Sequence, residues 1–268
     1  MKNRPIPEAR KAAIIDTLVT PAPRYLMRLV LIEQFVERLP SNIQSFLEIG
    51  PGMGDLSLYL GRRFPEARGV LLDFSSDCID ILRQRTSGNP RLQLRTGDFM
   101  TMSHEGNYDL IIACEVFEHI DDDKTAFRIV SGLLNPGGYF IFSAPAFMRK
   151  WQRADEYAGH YRRYERAELI EKFTLHGFRI DAMWSFGFPV TELLYPVRQL
   201  YYGLSLRGKK LSKEDSTKRS GIERPLIGKN SARFLANLLR PFYFLQNRVK
   251  NTNLGDGFLV LAQKVRPA

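Results

Sequence analysis

The sequence predicts an α/β fold, a mostly parallel sheet with helices on both faces. Two observations carry this. Five short apolar segments, 45–49, 69–75, 91–99, the start of 108–120 and 139–145, alternate with stretches of helical periodicity. The first of them runs through a glycine-rich turn straight into a helix pattern. Strands separated by helices of this length pair in parallel through right-handed crossovers.

Each element has its own warrant. RYLMRLVLIEQFVERL (24–39) alternates apolar and charged positions as an amphipathic helix does. SFLEI (45–49) reads as a strand and DLSLYLGRRF (55–64) as the helix opening after the glycines. GVLLDFS (69–75) is a second strand, followed by a helix over about 76–86. RLQLRTGDF (91–99) alternates and ends in a Gly-Asp turn, and YDLIIACEVFEHI (108–120) opens as a fully buried strand. A helix over about 122–134 stops at Asn-Pro-Gly-Gly before strand YFIFSAP (139–145). ERAELIEKFTLHGF (165–178) is a helix stopped by Gly177, RIDAMWSF (179–186) a strand, and GFLVLAQKV (257–265) the last strand. Between these two, 187–254 reads as an insertion with two short helices, about 190–206 and 230–250, around a polar stretch at 207–221.

Composition bounds the rest. The 268 residues, 44% hydrophobic and 25% charged, suffice for one large core with an appendage. Two cysteines, Cys78 and Cys114, argue against a disulfide scaffold and for a reducing compartment. The N-terminus lacks the apolar stretch of a secretory signal. The longest apolar region, 186–206, is broken by Pro189, Glu192, Pro196 and Arg198. The expected location is cytoplasmic, with peripheral attachment to the inner membrane face as an option. The net charge of +10 is concentrated in 203–250, where twelve Lys/Arg face three acids.

The turn Glu48-Ile-Gly50-Pro-Gly52-Met-Gly54-Asp55 narrows the ligand. A dinucleotide fingerprint needs its third glycine one position later, where Asp55 stands, and the Lys-Ser/Thr ending of a P-loop is missing. Glu48 just before the loop opposes an anion and suits a ligand bearing an ammonium group.

These residues resemble the first motif of class I S-adenosylmethionine-dependent methyltransferases, small-molecule type, and the likeness runs in order over about 45–185. The resemblance implies a Rossmann-like, seven-stranded sheet whose last two strands form an antiparallel addition. It also implies roles. Glu48, Gly50, Gly52 and Gly54 would cradle the cofactor, Asp73 with Phe74 beside it would take the ribose hydroxyls, and Asp98 and Phe99 the adenine. Cys114 and Glu115 end the strand that faces the methyl donor. The implied division is 1–44 an N-terminal helical lid, 45–186 the cofactor-binding core, 187–254 a basic, aromatic-rich insertion and 255–268 the last strand and tail.

The acceptor side stays open. Glu115, Glu118 and His119 stand at i, i+3 and i+4, and His160 lies in AGHYRRYE (158–165). His119 or His160 would serve as general base. Alternatively Glu118 and His119 only orient the pocket wall. A third reading makes Glu115, Glu118, His119 and His160 ligands of a divalent metal, since E-x-x-E-H resembles the metal motif of small-RNA 2′-O-methyltransferases and some ubiquinone-pathway O-methyltransferases. The expectation is an enzyme that needs no metal. Tyr25, Arg28, Tyr161, Arg162, Tyr164 and Phe188 are expected acceptor contacts. The acceptor is expected to be a small, lipid-like or carrier-bound molecule with an O or N nucleophile. The basic insertion would meet an anionic membrane or an acidic carrier protein, with nucleic acid less favoured. A metal-assisted RNA methyltransferase and a non-catalytic S-adenosylmethionine-binding module are the rival functions.

Overall fold

The computed structural model describes residues 14–19, 22–104, 106–205 and 229–265; the polar stretch 207–221 lies outside them. Seven strands form one sheet: β1 (Ser45–Ile49), β2 (Arg68–Asp73), β3 (Leu92–Thr96), β4 (Tyr108–Cys114), β5 (Leu134–Pro145), β6 (Phe178–Phe186) and β7 (Gly257–Lys264). Their order across the sheet is β3-β2-β1-β4-β5-β7-β6. The first five run parallel, and β7 is antiparallel to both β5 and β6. The order reverses between β1 and β4, which leaves a crevice at the carboxyl ends of these strands.

The helices are α1 (Pro23–Val36), α2 (Asp55–Arg63), α3 (Ser76–Arg85), α4 (Asp123–Leu133), α5 (Arg153–Ala158), α6 (Arg166–Leu175), α7 (Val190–Leu193), α8 (Tyr195–Ser205), α9 (Lys229–Leu238) and α10 (Arg240–Val249). Because side chains alternate along a strand, the sheet feeds two cores. Phe46, Leu110, Ile112 and Ile141 pack with Leu29, Ile32 and Phe35 of α1 on one face. Leu47, Ile111, Phe140 and Phe142 pack with Phe127 of α4 and Phe173 of α6 on the other. Burial on both faces explains why β1 and β4 read as continuous apolar runs. At their amino ends, Asp109 accepts hydrogen bonds from the Gln44 and Ser45 N–H groups at 2.8 and 3.1 Å and from Asn135 Nδ2 at 2.8 Å.

The element boundaries differ from expectation where proline or turn chemistry intervenes. The two expected helices of the insertion are each broken in two, at Leu194 and at Leu239. Pro196 and Pro241 each fall at the second position of the helix that follows, where a missing N–H costs nothing; inside a longer helix the same ring would clash. β3 stops at Thr96 because Gly97-Asp98 turns the chain. β5 starts early, with Leu134 paired to Tyr108 before a register shift. The short helix α5 was not expected from the sequence; the Asp155 carboxylate caps it by accepting from the Gln152 N–H at 2.8 Å.

Candidate active site

A cavity of about 1000 Å³ opens at the carboxyl edge of β1, β2 and β4. Its floor is the glycine turn. Gly50, Gly52 and Gly54 all have positive φ, at 66, 54 and 77°. A Cβ on Gly52 would meet nothing within 4 Å, so the backbone there is bare toward the cavity. Gly54 is different: it starts α2 and a Cβ there would strike Leu82, so it shapes the turn without lining the cavity. Asp55, where a dinucleotide fingerprint has glycine, is fully buried and paired with Arg85 at 2.9 Å.

The expected cofactor residues Glu48, Asp73, Phe74, Asp98, Phe99, Cys114 and Glu115 all line this cavity. Asp73 accepts from the Ser75 N–H at 2.9 Å and the Gly52 N–H at 3.4 Å, which locks the β2 end to the glycine turn. Asp98 accepts from the Met100 N–H at 2.8 Å, and Phe99 is buried beneath it. Glu48 accepts from Ser57 Oγ at 2.5 Å, and burial pushes its carboxyl up to about 7. Burial likewise pushes the Cys114 thiol up to about 12, so it does not ionise at neutral pH.

The i, i+3, i+4 spacing does not place Glu115 with Glu118 and His119 on one helical face. Glu115 turns the chain with φ 59°, and only Phe117–His119 is helical, as a single 3-10 turn. Arg24 of α1 reaches Glu115 at 2.5 Å and Asp256 at 3.0 Å, and Arg28 reaches Glu115 at 3.4 Å. Burial opposes the charge on Glu115, but these two guanidiniums outweigh it and hold the carboxyl down at about 2. Arg24 and Asp256, central to this network, drew no notice in the sequence; Arg24 stood one residue before the noted Tyr25.

Beyond β4, Phe117 plugs into an aromatic core, 5.0 Å from Phe127 and 5.4 Å from Phe142, and so fixes the turn that carries Glu118 and His119. His119 and His160 meet edge to face at 4.7 Å. His160 Nδ1 lies 2.9 Å from Asp155 Oδ1, and its Nε2 lies 3.9 Å from Glu118 Oε1. Burial opposes charge on Asp155, yet His160 and Arg163 keep it below the usual carboxylate range. An ionised Asp155 engages the imidazole at Nδ1, so Nε2 is the ring nitrogen left outside that pair. Burial, with His160 close by, drives His119 down to about 3, so it stays neutral. Burial and the neighbouring Glu115 push Glu118 well above the ordinary value. Neither Glu118 oxygen has a hydrogen-bond partner. Asp155 escapes sequence reasoning because α5, only six residues long, carries too little periodicity to read.

The segment His160–Tyr164 divides its side chains between two jobs. His160 and Tyr161 face the cavity, as do Tyr25 and Arg28. Three expected acceptor contacts do not line it. Tyr164 is fully buried, its hydroxyl donating to Asp123 at 2.9 Å. Arg162 pairs with Asp123 at 3.1 Å, and Phe188 lies beyond β6, outside the cavity wall. A strand-like bridge between Ala146 and Tyr164 hooks this segment to the end of β5, where the Tyr164 ring is buried. The insertion supplies Thr191, Leu194, Arg198, Tyr201 and Tyr202 to the opposite wall.

A sheet of this order, with a glycine turn and acids on successive strand ends, is that of a Rossmann-like nucleotide-binding transferase. A family model described as a methyltransferase domain matches residues 22–192, and the chain belongs to this family, the class I S-adenosylmethionine-dependent methyltransferases. Among curated relatives, malonyl-[acyl-carrier protein] O-methyltransferase 1 of Ilyobacter polytropus is 32% identical over 99 residues, 37% of either chain. Trans-aconitate 2-methyltransferase of Methylobacterium radiotolerans is likewise 32% identical over 99 residues and 37% of each. The matched stretch thus spans under two-fifths of the length of either relative. Among solved structures, an S-adenosylmethionine-dependent methyltransferase from Clostridium acetobutylicum superposes with a TM-score of 0.53 at 14% identity, over 92% of this chain and 93% of that one. The family implies S-adenosylmethionine as cofactor, and the cavity fits it: bare glycine backbone, acids at the ends of β1 and β2, and an aromatic beside Asp98.

Proposed function

We propose that this enzyme methylates an oxygen or nitrogen nucleophile of a small, lipid-like or carrier-bound acceptor, with His160 as general base. The observation that carries this reading is the Asp155–His160 pair, which holds the imidazole by Nδ1 at the cavity wall beside the β4 end and leaves Nε2 outside that contact. S-adenosylmethionine supplies the electrophilic methyl. Glu48 and Asp73 hold the cofactor's polar groups on the turn, and His160 Nε2 takes the proton of the attacking group. Arg198 faces the acceptor half with an Nη1 that makes no hydrogen bond, only a 3.7 Å ion pair with Asp256, and so suits a negatively charged acceptor group. Most of the rate comes from holding nucleophile and methyl in line.

Two variants test the reading. His160→Ala is expected to lower turnover, read as S-adenosylhomocysteine release, by about a hundredfold. Asp155→Asn should lower it too, by favouring the wrong imidazole tautomer, while S-adenosylmethionine affinity stays unchanged in both. Wild-type turnover in His160→Ala would refute the base assignment.

A second reading has its own observation: one ligand atom each from Glu118, His119 and His160 lie within 4.8 Å of one another. With the unpartnered Glu118 carboxylate, this donor set fits a divalent cation of the magnesium or manganese kind. Glu115 would not belong to it, being held by Arg24 and Arg28. Turnover lost to a chelator and restored by Mg²⁺ or Mn²⁺ would establish this reading over the first.

A further inference from the structure

We propose that α8 is a membrane-docking helix that seats the protein on an anionic lipid surface and turns the acceptor cavity toward it. Val197, Leu200, Tyr201 and Leu204 recur at helical spacing and are 65, 66, 62 and 54% exposed. A helix covering a core places such a row inward. Here the inward side is already made by other residues. Tyr202 packs on Tyr157 of α5 at 5.1 Å, and Gly203 lies flush against the Arg153 guanidinium. Leu193, just before α8, is also exposed. Eleven residues of helix reach about 16 Å, half of a bilayer's hydrocarbon thickness, so α8 can lie in the interface but cannot span it. Among the described residues no helix is long and apolar enough to cross a membrane.

Charge identifies the surface. The twelve Lys/Arg and three acids of 203–250 are sequence neighbours of this row, and seven of the twelve fall between residues 206 and 228. An outward apolar row followed in the chain by a basic sequence supplies the two signals that interfacial binding to anionic lipid requires. An acidic carrier protein would answer the charge alone and leave the apolar row in water.

The same helix also faces the active site: Arg198, Tyr201 and Tyr202 line the cavity, and Tyr201 is exposed as well. Docking through α8 therefore places the acceptor half of the cavity at lipid level, where an amphiphile with an anionic head could enter toward Arg198. This last step rests on the active-site reading above; the docking itself does not.

The test is flotation of the full chain with phosphatidylcholine vesicles, with and without phosphatidylglycerol, at low and high salt. Co-flotation is expected with phosphatidylglycerol at low salt and should fall sharply at high salt, where screening shortens to about 3 Å at 1 M. Leu200→Glu with Leu204→Glu is expected to cut flotation at least about tenfold. The melting temperature and S-adenosylmethionine affinity of this variant should match wild type, which keeps failure of docking separate from failure of the active-site reading. The proposal is overturned if wild type does not float at low salt, or if the double variant floats as well as wild type. It is equally overturned if wild type ignores vesicles but binds an acidic holo-acyl carrier protein, or forms a dimer that the double variant dissolves.

Discussion

Glu115 adopts a left-handed backbone at φ 59°, a conformation that costs a non-glycine residue about 1 kcal/mol or more. The carboxylate is recovered by two arginines from α1, and Asp256 shares one of them. Removing Arg24 leaves two nearly buried carboxylates short of a partner. Arg24→Ala should therefore destabilise by about 3 kcal/mol, seen as a fall in melting temperature of order 10 °C. Glu48 gives a prediction of opposite sign. Its carboxyl titrates near 7 in the fold against an ordinary 4.5, the cause being burial, with Asp55 and Asp73 opposing Arg28 as further charged neighbours. Between these two values the unfolded chain has lost a proton that the folded chain keeps, so stability falls as pH rises through the window. Thermal unfolding of the cofactor-free protein from pH about 4.5 to about 7 should show this decline, and Glu48→Gln should make it shallower, the remainder coming from Glu118, which is raised as well. A cationic ligand in the cavity draws Glu48 toward its ionised form, so S-adenosylmethionine should bind more tightly as pH rises through the same range, and lose that dependence in Glu48→Gln.

At the level of elements, the glycine turn separates folding from binding. Gly54 has φ 77° and its Cβ would collide with Leu82, so Gly54→Ala should destabilise the fold. Gly52 has φ 54° with open space around its Cβ. Gly52→Ala should cost only about 1 kcal/mol of stability, while the methyl group enters the cofactor's space and weakens S-adenosylmethionine binding at least about tenfold. Calorimetric titration beside a thermal melt separates the two effects. The 3-10 turn Phe117–His119 is a second such element. Phe117 is buried among Phe127, Phe140 and Phe142, and the Tyr161 N–H donates to the Glu118 carbonyl at 2.8 Å. His119 and His160 are thus set against each other by aromatic packing below and a backbone bond above.

Over the whole molecule, the cavity is closed by residues far apart in sequence. Arg24, Glu115, Arg198 and Asp256 join α1, the β4 end, α8 and the chain just before β7. Asp256 is buried and meets both arginines. Asp256→Asn should therefore loosen α1 and α8 together, raising KM for cofactor and acceptor alike and lowering the melting temperature. A change in one KM alone would show that the two walls are not coupled.

The parallel strands and most helix positions were legible in the sequence because their signals are local: apolar runs, caps, glycine and proline. That the last two strands form an antiparallel addition came from the family resemblance; the insertion of β7 between β5 and β6 is seen only in the fold. The residues lining the cofactor half stood at strand ends, which sequence order locates. The acceptor half was far less legible. Tyr161 and Tyr164 look alike in sequence, yet one lines the cavity and the other fills the core, because Tyr161 is tied by its N–H to the Glu118 carbonyl while Tyr164 is bridged to Ala146 at the end of β5. Asp155 depends on a helix of six residues with too little periodicity to read. The sequence by itself determined the sheet, the glycine turn and the cofactor class, since short-range patterns encode them. Only the tertiary structure decided that Asp155 orients His160, that Arg24 captures Glu115 and that α8 turns its apolar row outward, because those relations join residues that only folding brings together.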